Sequence, residues 1–450
     1  MHRFRLIAAI GLFLVATTPA AAHAFELGNI LSGYVMAFDY LDISRPLGEI
    51  GFAEGSYNDK PWVSHDRAGL RLQLRLAGDI TNDVSFDTSI NFQYDVAEAV
   101  RQPTSSATDG MSFFFKEGFI SVRNILDYFD LKVGRQYVFW GKFEWGGALD
   151  IVSGWNYAAM SAEKENFRLA VDAVRLWMNF DPVTIELLVI PVFTPNKMPL
   201  ELPEKAGPST VVQNDAALPS TSFVNTEVGA KVAFPLGSDG EMALYYFRGF
   251  DRTFSMVVEG KPDDAYIPED LVFTPTYNSL QVAGIDAEYI AGPVMLLFEG
   301  AYFHTEDEDG EDIFVKNKHM KLATGFEWEA TSKLSVTGLY SYTRLLQYDR
   351  NREWHMVKNP GTPDPYVART NQHKAMYRLR YYPIQELSLQ LMQIFNIPDG
   401  DFMTLGFVSW EIVSGLKLYT GLVAFRGPNG TTFGRLEEQS RWFTELKYSF

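Results

Sequence analysis

The chain has 450 residues, 46% of them hydrophobic and 14% aromatic, with no cysteine and a formal net charge of −17. Without thiols it can form no disulfide, Cys-ligated metal site or thiol nucleophile, and its acidity argues against nucleic acid, whose binding needs a basic patch. No stretch reaches the roughly 18 uninterrupted apolar residues of a spanning helix; the richest, Leu187 to Phe193, is short and contains Pro191. The length would allow roughly two or three soluble domains, but no linker or shift in composition divides it.

The first residues read as an address. Arg3 and Arg5 precede the apolar run Leu6 to Val15, and Ala22-His23-Ala24 supplies a small-x-small cleavage pattern. Residues 1–24 are therefore expected to be a signal peptide, with 25–450 forming one exported domain.

Between Ala68 and Ala97 the chain states its rule. Leu70, Leu72, Leu74 and Leu76 alternate with Arg71, Gln73 and Arg75; after a short polar break, Phe86, Thr88, Ile90, Phe92 and Tyr94 alternate with Asp87, Ser89, Asn91, Gln93 and Asp95. A period of two means strands, and each run approaches the roughly 9–11 residues that a tilted strand needs to cross a bilayer. Strands of a soluble sandwich are usually about 5–6 residues. Lipid cannot satisfy an open sheet edge, so spanning strands close into a barrel with the apolar face outward and the polar face inward.

The pattern recurs at 27–40, 67–78, 83–96, 112–124, 129–141, 170–180, 182–193, 225–235, 240–250, 280–291, 293–304, 318–330, 333–347, 372–383, 385–396, 400–413, 415–426 and 438–450. Gaps alternate between a few residues and long stretches such as 41–66, 142–169 and 194–224. Short periplasmic turns and long extracellular loops have this rhythm. The expected fold class is all-β, a transmembrane antiparallel up-and-down β-barrel of about 18 strands with both termini periplasmic. The gap at 397–399 is short where a long one is expected, and a miscounted hairpin there would leave 16 strands.

In the last strand, Trp442, Thr444, Leu446, Tyr448 and Phe450 share one face. This ending resembles the C-terminal signal by which outer-membrane barrels are recognised for assembly, which implies a Gram-negative outer membrane and contact with the barrel assembly machinery.

Charged strand residues are expected to avoid lipid, because an Arg at mid-bilayer costs roughly 2–4 kcal/mol. Arg71, Arg75, Lys231, Arg248, Arg378 and Arg380, opposed by Asp87, Asp95, Glu227, Glu299 and Glu327, are thus expected to line the lumen. Arg135 has the parity of Leu131 and Val133, so a bulge at Gly134 is expected to turn it inward; the alternative is a place at the headgroup boundary. A barrel of this size leaves an aqueous channel, and whatever narrows it sets selectivity. In general porins the third extracellular loop does so. Here that loop is 142–169, with Trp145, Asp150, Trp155, Glu163, Lys164, Glu165 and Arg168 as its candidate lining; an external cap is the alternative.

Glu306, Asp307, Asp309 and Glu311 belong to the densest acidic run, flanked by His304 and His319. Calcium or a histidine-bound transition metal would suit such donors. The spacing does not match the EF-hand ligand series, so a solvated loop is the favoured reading and no cofactor is expected. His65, His304, His319, His355 and His373 lie in or beside expected loops, and no enzyme activity is expected.

The segment Val133-Gly134-Arg135-Gln136-Tyr137-Val138-Phe139-Trp140-Gly141 resembles the Gly-Arg-Gln motif with a following Trp-Gly of a loosely related group of Gram-negative barrels. The group includes alginate-export-like porins and an uncharacterised outer-membrane family. Ala243 to Asp251, and Gly284 to Tyr289 with Glu299 following, are similar to other strands of that group. The resemblance implies a porin-like barrel carrying solutes, lipid-like or polymeric material. The leading expectation is a porin or substrate-selective channel for small solutes with a polar lumen. The alternative is a scaffold or conduit around a lipid-like, polymeric or electron-carrying partner. Expected partners are outer-membrane lipid and small solutes, with a homo-oligomer or a periplasmic partner left open.

Overall fold

The structure, a computed structural model, describes residues 30–49, 62–96, 110–157, 163–198, 205–206, 209–259, 270–312, 314–348, 369–428 and 431–450. The signal-peptide expectation falls outside these residues, as does His355. Eighteen antiparallel strands form one closed sheet. In chain order they are β1 (Leu31–Asp42), β2 (Ser64–Asp79), β3 (Val84–Asp95), β4 (Met111–Ile125), β5 (Phe129–Gln136), β6 (Val171–Phe180), β7 (Val183–Ile190), β8 (Glu227–Pro235) and β9 (Gly240–Phe250). The second half continues with β10 (Ser279–Ala291), β11 (Val294–Thr305), β12 (His319–Thr331), β13 (Leu334–Leu345), β14 (Asn371–Ile384), β15 (Leu387–Asn396), β16 (Asp401–Val413), β17 (Leu416–Arg426) and β18 (Arg441–Ser449).

Each strand pairs with its sequence neighbours, and β1 pairs with β18 from Tyr34↔Ser449 to Asp42↔Arg441. The seam is clasped by two backbone hydrogen bonds of 3.0 Å, Gly33 N–H to the Phe450 carbonyl and Phe450 N–H to the Gly33 carbonyl. The ring therefore has no free edge to recruit another chain. The hairpin around 397–400 is real, with β15 and β16 in register from Leu387↔Trp410 to Asn396↔Asp401, so the count is 18 and not 16. Short turns gather at one end of the barrel and longer connections at the other, where this hairpin is the short exception. Gly292 shows how tight the short end is: its φ of +62° suits a turn that a side chain would strain.

The period of two decides which way each side chain points. On β2, Leu70 is 55% exposed on the outer wall while Arg71, its neighbour, is 9% exposed inside. Phe298 and Glu299 on β11 repeat this at 41% and 0%. No helix among the described residues is long and apolar enough to cross a membrane.

The inner wall is less uniformly polar than the alternation rule suggests. Tyr34, Met36, Phe38 and Tyr40 of β1 point inward and pack with Met376, Met392 and Phe443 into one apolar cluster. A second cluster joins Leu188, Tyr245, Phe247 and Val282 of the wall to Val138, Trp140, Leu149 and Val152 of the chain between β5 and β6. A ring of 18 strands is roughly 35 Å across, wider than wall side chains can fill. The apolar inner residues mark where the loop folded into the barrel is docked.

Candidate functional site

The wall strand expected to run to residue 141 stops at Gln136, because the chain there leaves the sheet and turns inward. Gln136 is fully buried, its Nε2 donating to the Ala173 carbonyl at 3.0 Å, and Val138 N–H donates to Ser153 Oγ at 2.8 Å. Trp140 then seats its ring over Gly229 of β8, where a Cβ would come within 2.4 Å of the ring. Its indole N–H reaches Glu186 Oε1 at 3.3 Å, and Arg175 Nε holds the same oxygen at 2.9 Å.

Glu299 of β11 is the centre of the arrangement. Its Oε1 accepts the backbone N–H groups of Lys142 and Phe143 at 2.6 and 2.9 Å, and its Oε2 those of Ala148 and Leu149 at 2.5 and 2.9 Å. One carboxylate thus satisfies four donors of a loop that has no sheet partner at this point. Charge-assisted bonds of this kind are about twice as strong as neutral ones. Gly141 and Gly147 bracket it closely; a Cβ would lie 2.5 Å from Oε1 at the first and 2.7 Å from Oε2 at the second, and Gly141 has φ +87°. Gly284 of β10 likewise makes room for Leu149, whose Cδ2 would be 2.3 Å from an added Cβ.

Residues of the wall, and Arg252 just beyond β9, pin the loop as it crosses. Lys321 Nζ donates to the Gly147 carbonyl at 2.6 Å. Arg378 hydrogen-bonds Glu144, with Arg380 Nη2 at 3.8 Å from the same carboxylate. Arg252 donates from Nε to the Val152 carbonyl at 2.9 Å and pairs through Nη2 with the buried Glu227 at 2.9 Å. Lys142 sits between Glu241 Oε1 at 2.7 Å and Glu288 Oε1 at 3.3 Å. Burial alone would lower its pKa, but the carboxylates of Glu241, Asp286 and Glu288 outweigh that and hold it above the usual lysine value.

The candidate loop residues come together. Trp145 and Trp155 have ring centroids 5.1 Å apart, and the Arg168 guanidinium lies 3.6 Å from the Trp155 ring centre. Arg168 makes a bidentate pair with Asp150 at 2.7 and 2.6 Å. Glu163 reaches the far wall, accepting from Lys447 Nζ of β18 at 2.5 Å and from Tyr419 Oη of β17 at 3.4 Å. The side chains of Lys164 and Glu165 lie outside the described residues. The described parts of the loop, residues 142–157 and 163–169, therefore lie against the inner wall, with contacts on β11, β14 and β18.

On β2 and β3 the inner charges form a ladder of cross-strand pairs. Arg67 Nε meets Asp95 Oδ2 at 2.8 Å, Arg71 donates to Gln93 Oε1 at 2.9 and 2.7 Å, and Arg75 pairs with Asp87. Lys231, Glu227, Glu299, Glu327, Arg378 and Arg380 also lie on inward-facing positions.

Two expected lumen residues face the other way. Arg135 lies opposite Asp172 and Gly118 in unbroken register, so no bulge occurs at Gly134; it stays on the outer wall beside Val133, its Nη1 3.0 Å from Asp172 Oδ2. Arg248 shares its face with the exposed Leu244 and Tyr246, so it too is on the outside. Both lie next to the long-loop end of their strands, where the cost of a charge on the outer face falls to about 0–1 kcal/mol.

The acidic run does not converge. Glu306 accepts from Asn278 and Ser279, and Asp307 Oδ1 caps the N–H groups of Gly310 and Glu311 at 2.9 and 3.1 Å. His304 points outward while His319 points inward and stacks on Phe303 with centroids 4.3 Å apart, so the two cannot share an ion. Among the described residues no three His, Asp or Glu side chains are grouped to hold a metal.

Glu144, Glu186, Arg252, Lys321 and Lys447 are not singled out by their sequence context, whereas Gln136 and Trp140 belong to the Gly-Arg-Gln and Trp-Gly motif. The signal that was available is the Trp140-Gly141 pair, an aromatic and a left-handed glycine at the end of a strand.

No protein-family model matches the chain, and no curated protein matches it significantly by sequence. By structure the chain is similar to OccAB1 of Acinetobacter baumannii, at 9% identity and TM-score 0.52, over 94% of this chain and 96% of that one. It is also similar to OccK3 of Pseudomonas aeruginosa, at 10% identity and TM-score 0.51, over 94% of this chain and 95% of that one. At this identity the likeness is one of fold, a closed antiparallel β-barrel.

Proposed function

We propose that the protein is an outer-membrane channel that passes small solutes through a lumen narrowed by the loop between β5 and β6. The observation that carries this reading is the Glu299 clamp, which holds that loop inside an otherwise wide barrel. The OccAB1 and OccK3 likeness in fold supports it. The gathering of short turns at one end supports periplasmic termini there, and the N-terminal pattern supports export by a signal peptide over residues 1–24. Lipid is the partner of the outer wall, and assembly machinery the partner of the C-terminal strand.

A conduit that sheathes another protein is disfavoured, because the loop occupies the space such a partner would fill. In planar bilayers the purified barrel is expected to give discrete ohmic steps, larger when residues 142–169 are shortened. A barrel silent in both forms would overturn the channel reading.

A further inference from the structure

The outer wall of β11 to β14 carries a groove of about 610 Å³, and its chemistry changes along its length. The strand register sorts its outward side chains into three rows. Nearest the long-loop end run Tyr302, Met320, Arg344 and Asn371; next Gly300, Leu322, Tyr342 and His373; deepest toward mid-wall Phe298, Thr324, Tyr340 and Ala375. Thr324, small beside the rings, forms the hollow. Phe298, Leu322 and Tyr340 wall it with apolar surface, each about 41–42% exposed.

The upper row is different. Arg344 is exposed and has no protein partner among the described residues. Its neighbours on the same wall are already engaged with one another: Tyr342 Oη donates to Asn371 Oδ1 at 2.6 Å, and Tyr340 Oη lies 2.6 Å from His373 Nδ1. An unpaired guanidinium on the lipid-facing wall is tolerated only at the headgroup level. There the phosphates of lipid headgroups are the anions within reach, and Arg344 lines the same groove as the apolar Phe298 and Leu322.

We propose that this groove is a binding site for a phosphorylated membrane lipid, with the phosphate on Arg344 and an acyl chain lying past Leu322 against Phe298 and Tyr340. Guanidinium matches phosphate geometry through two parallel hydrogen bonds, which an ammonium does not provide. The register gives the site a direction: the phosphate end faces the long loops and the chain points toward mid-bilayer. The proposal does not depend on conduction, so it stands or falls separately from the channel reading.

The test is lipid retention by the full-length purified barrel in detergent, read by native mass spectrometry. Didodecanoyl phosphatidic acid, the matching phosphatidylcholine and inorganic phosphate are the three probes. One phosphatidic acid per barrel is expected to survive where phosphatidylcholine does not. Arg344→Gln should reduce that retention about fivefold, from roughly 1 kcal/mol per cation near a lipid surface. Thr324→Trp, which fills the hollow without touching the charge, should also reduce it. Arg248→Gln, on the same rim but two strands away from β11, should leave it unchanged. Equal retention of the two lipids would overturn the proposal, as would phosphate binding as tightly as the lipid, or a loss in Arg248→Gln matching that in Arg344→Gln. Heat-modifiable migration in gels confirms that each variant is a folded barrel.

Discussion

The inner wall carries its charges in two ways. On β2 and β3 they pair across the sheet with residues 12 to 28 positions away, as Arg75 does with Asp87 and Arg67 with Asp95. Beneath the loop, Glu299 is spent on backbone donors 150 or more residues earlier in the chain. Of the first kind, the Arg75–Asp87 rung is open to solvent, the Arg75 side chain being 51% exposed, and is interchangeable with other polar pairs. The second kind fixes a segment in space, and its geometry tolerates little change.

Four variants would break or sharpen that distinction. Glu299→Ala should have the largest effect, because it strands four loop N–H groups away from water. About 3–5 kcal/mol of stability should be lost, read as a lower urea midpoint, together with a larger single-channel conductance as the loop leaves the lumen. An unchanged conductance would mean the loop does not limit flow. Next comes Arg168→Ala, which removes the bidentate partner of Asp150 and the cation over Trp155. A loss of about 2–3 kcal/mol is expected, with protease cutting the loop faster than in the parent.

Gly141→Ala is the third. It places a methyl group against the Glu299 carboxylate in a left-handed backbone, and about 1–3 kcal/mol should be lost. The smallest change in stability belongs to Arg75→Gln, on the solvated ladder, at about 0.5 kcal/mol or less. Its effect should appear instead as a reversal potential shifted toward cations. A midpoint shift as large as that of Glu299→Ala would erase the difference between the two walls.

The barrel itself was legible in the sequence because its rule is local. Alternation placed Leu70 outside and Arg71 inside, the short and long gaps gave the number of strands, and the register of β15 and β16 removed the one ambiguity. The cost of charge in lipid points Arg248 and Arg135 inward, against their parity, and the structure places both outside. Parity was the better guide, since that cost fades at the strand ends. The analogy with porins points to the loop as a candidate constriction. The clamp itself was not legible: the resemblance marks Glu299 but not its role, which appears only when Gly141 and Gly147 are seen folded against its carboxylate.

The Glu299 clamp also bears on shape. A thin hoop of strands bends easily at every inter-strand hinge, so lateral pressure from a membrane flattens it at little cost. The segment leaving β5 is tied to β11, six strands around the ring of 18, and its far end ties the region of β6 to β18. Those two ties act as struts, converting a bending mode into a stretching one, and they keep the cross-section round while its surroundings fluctuate.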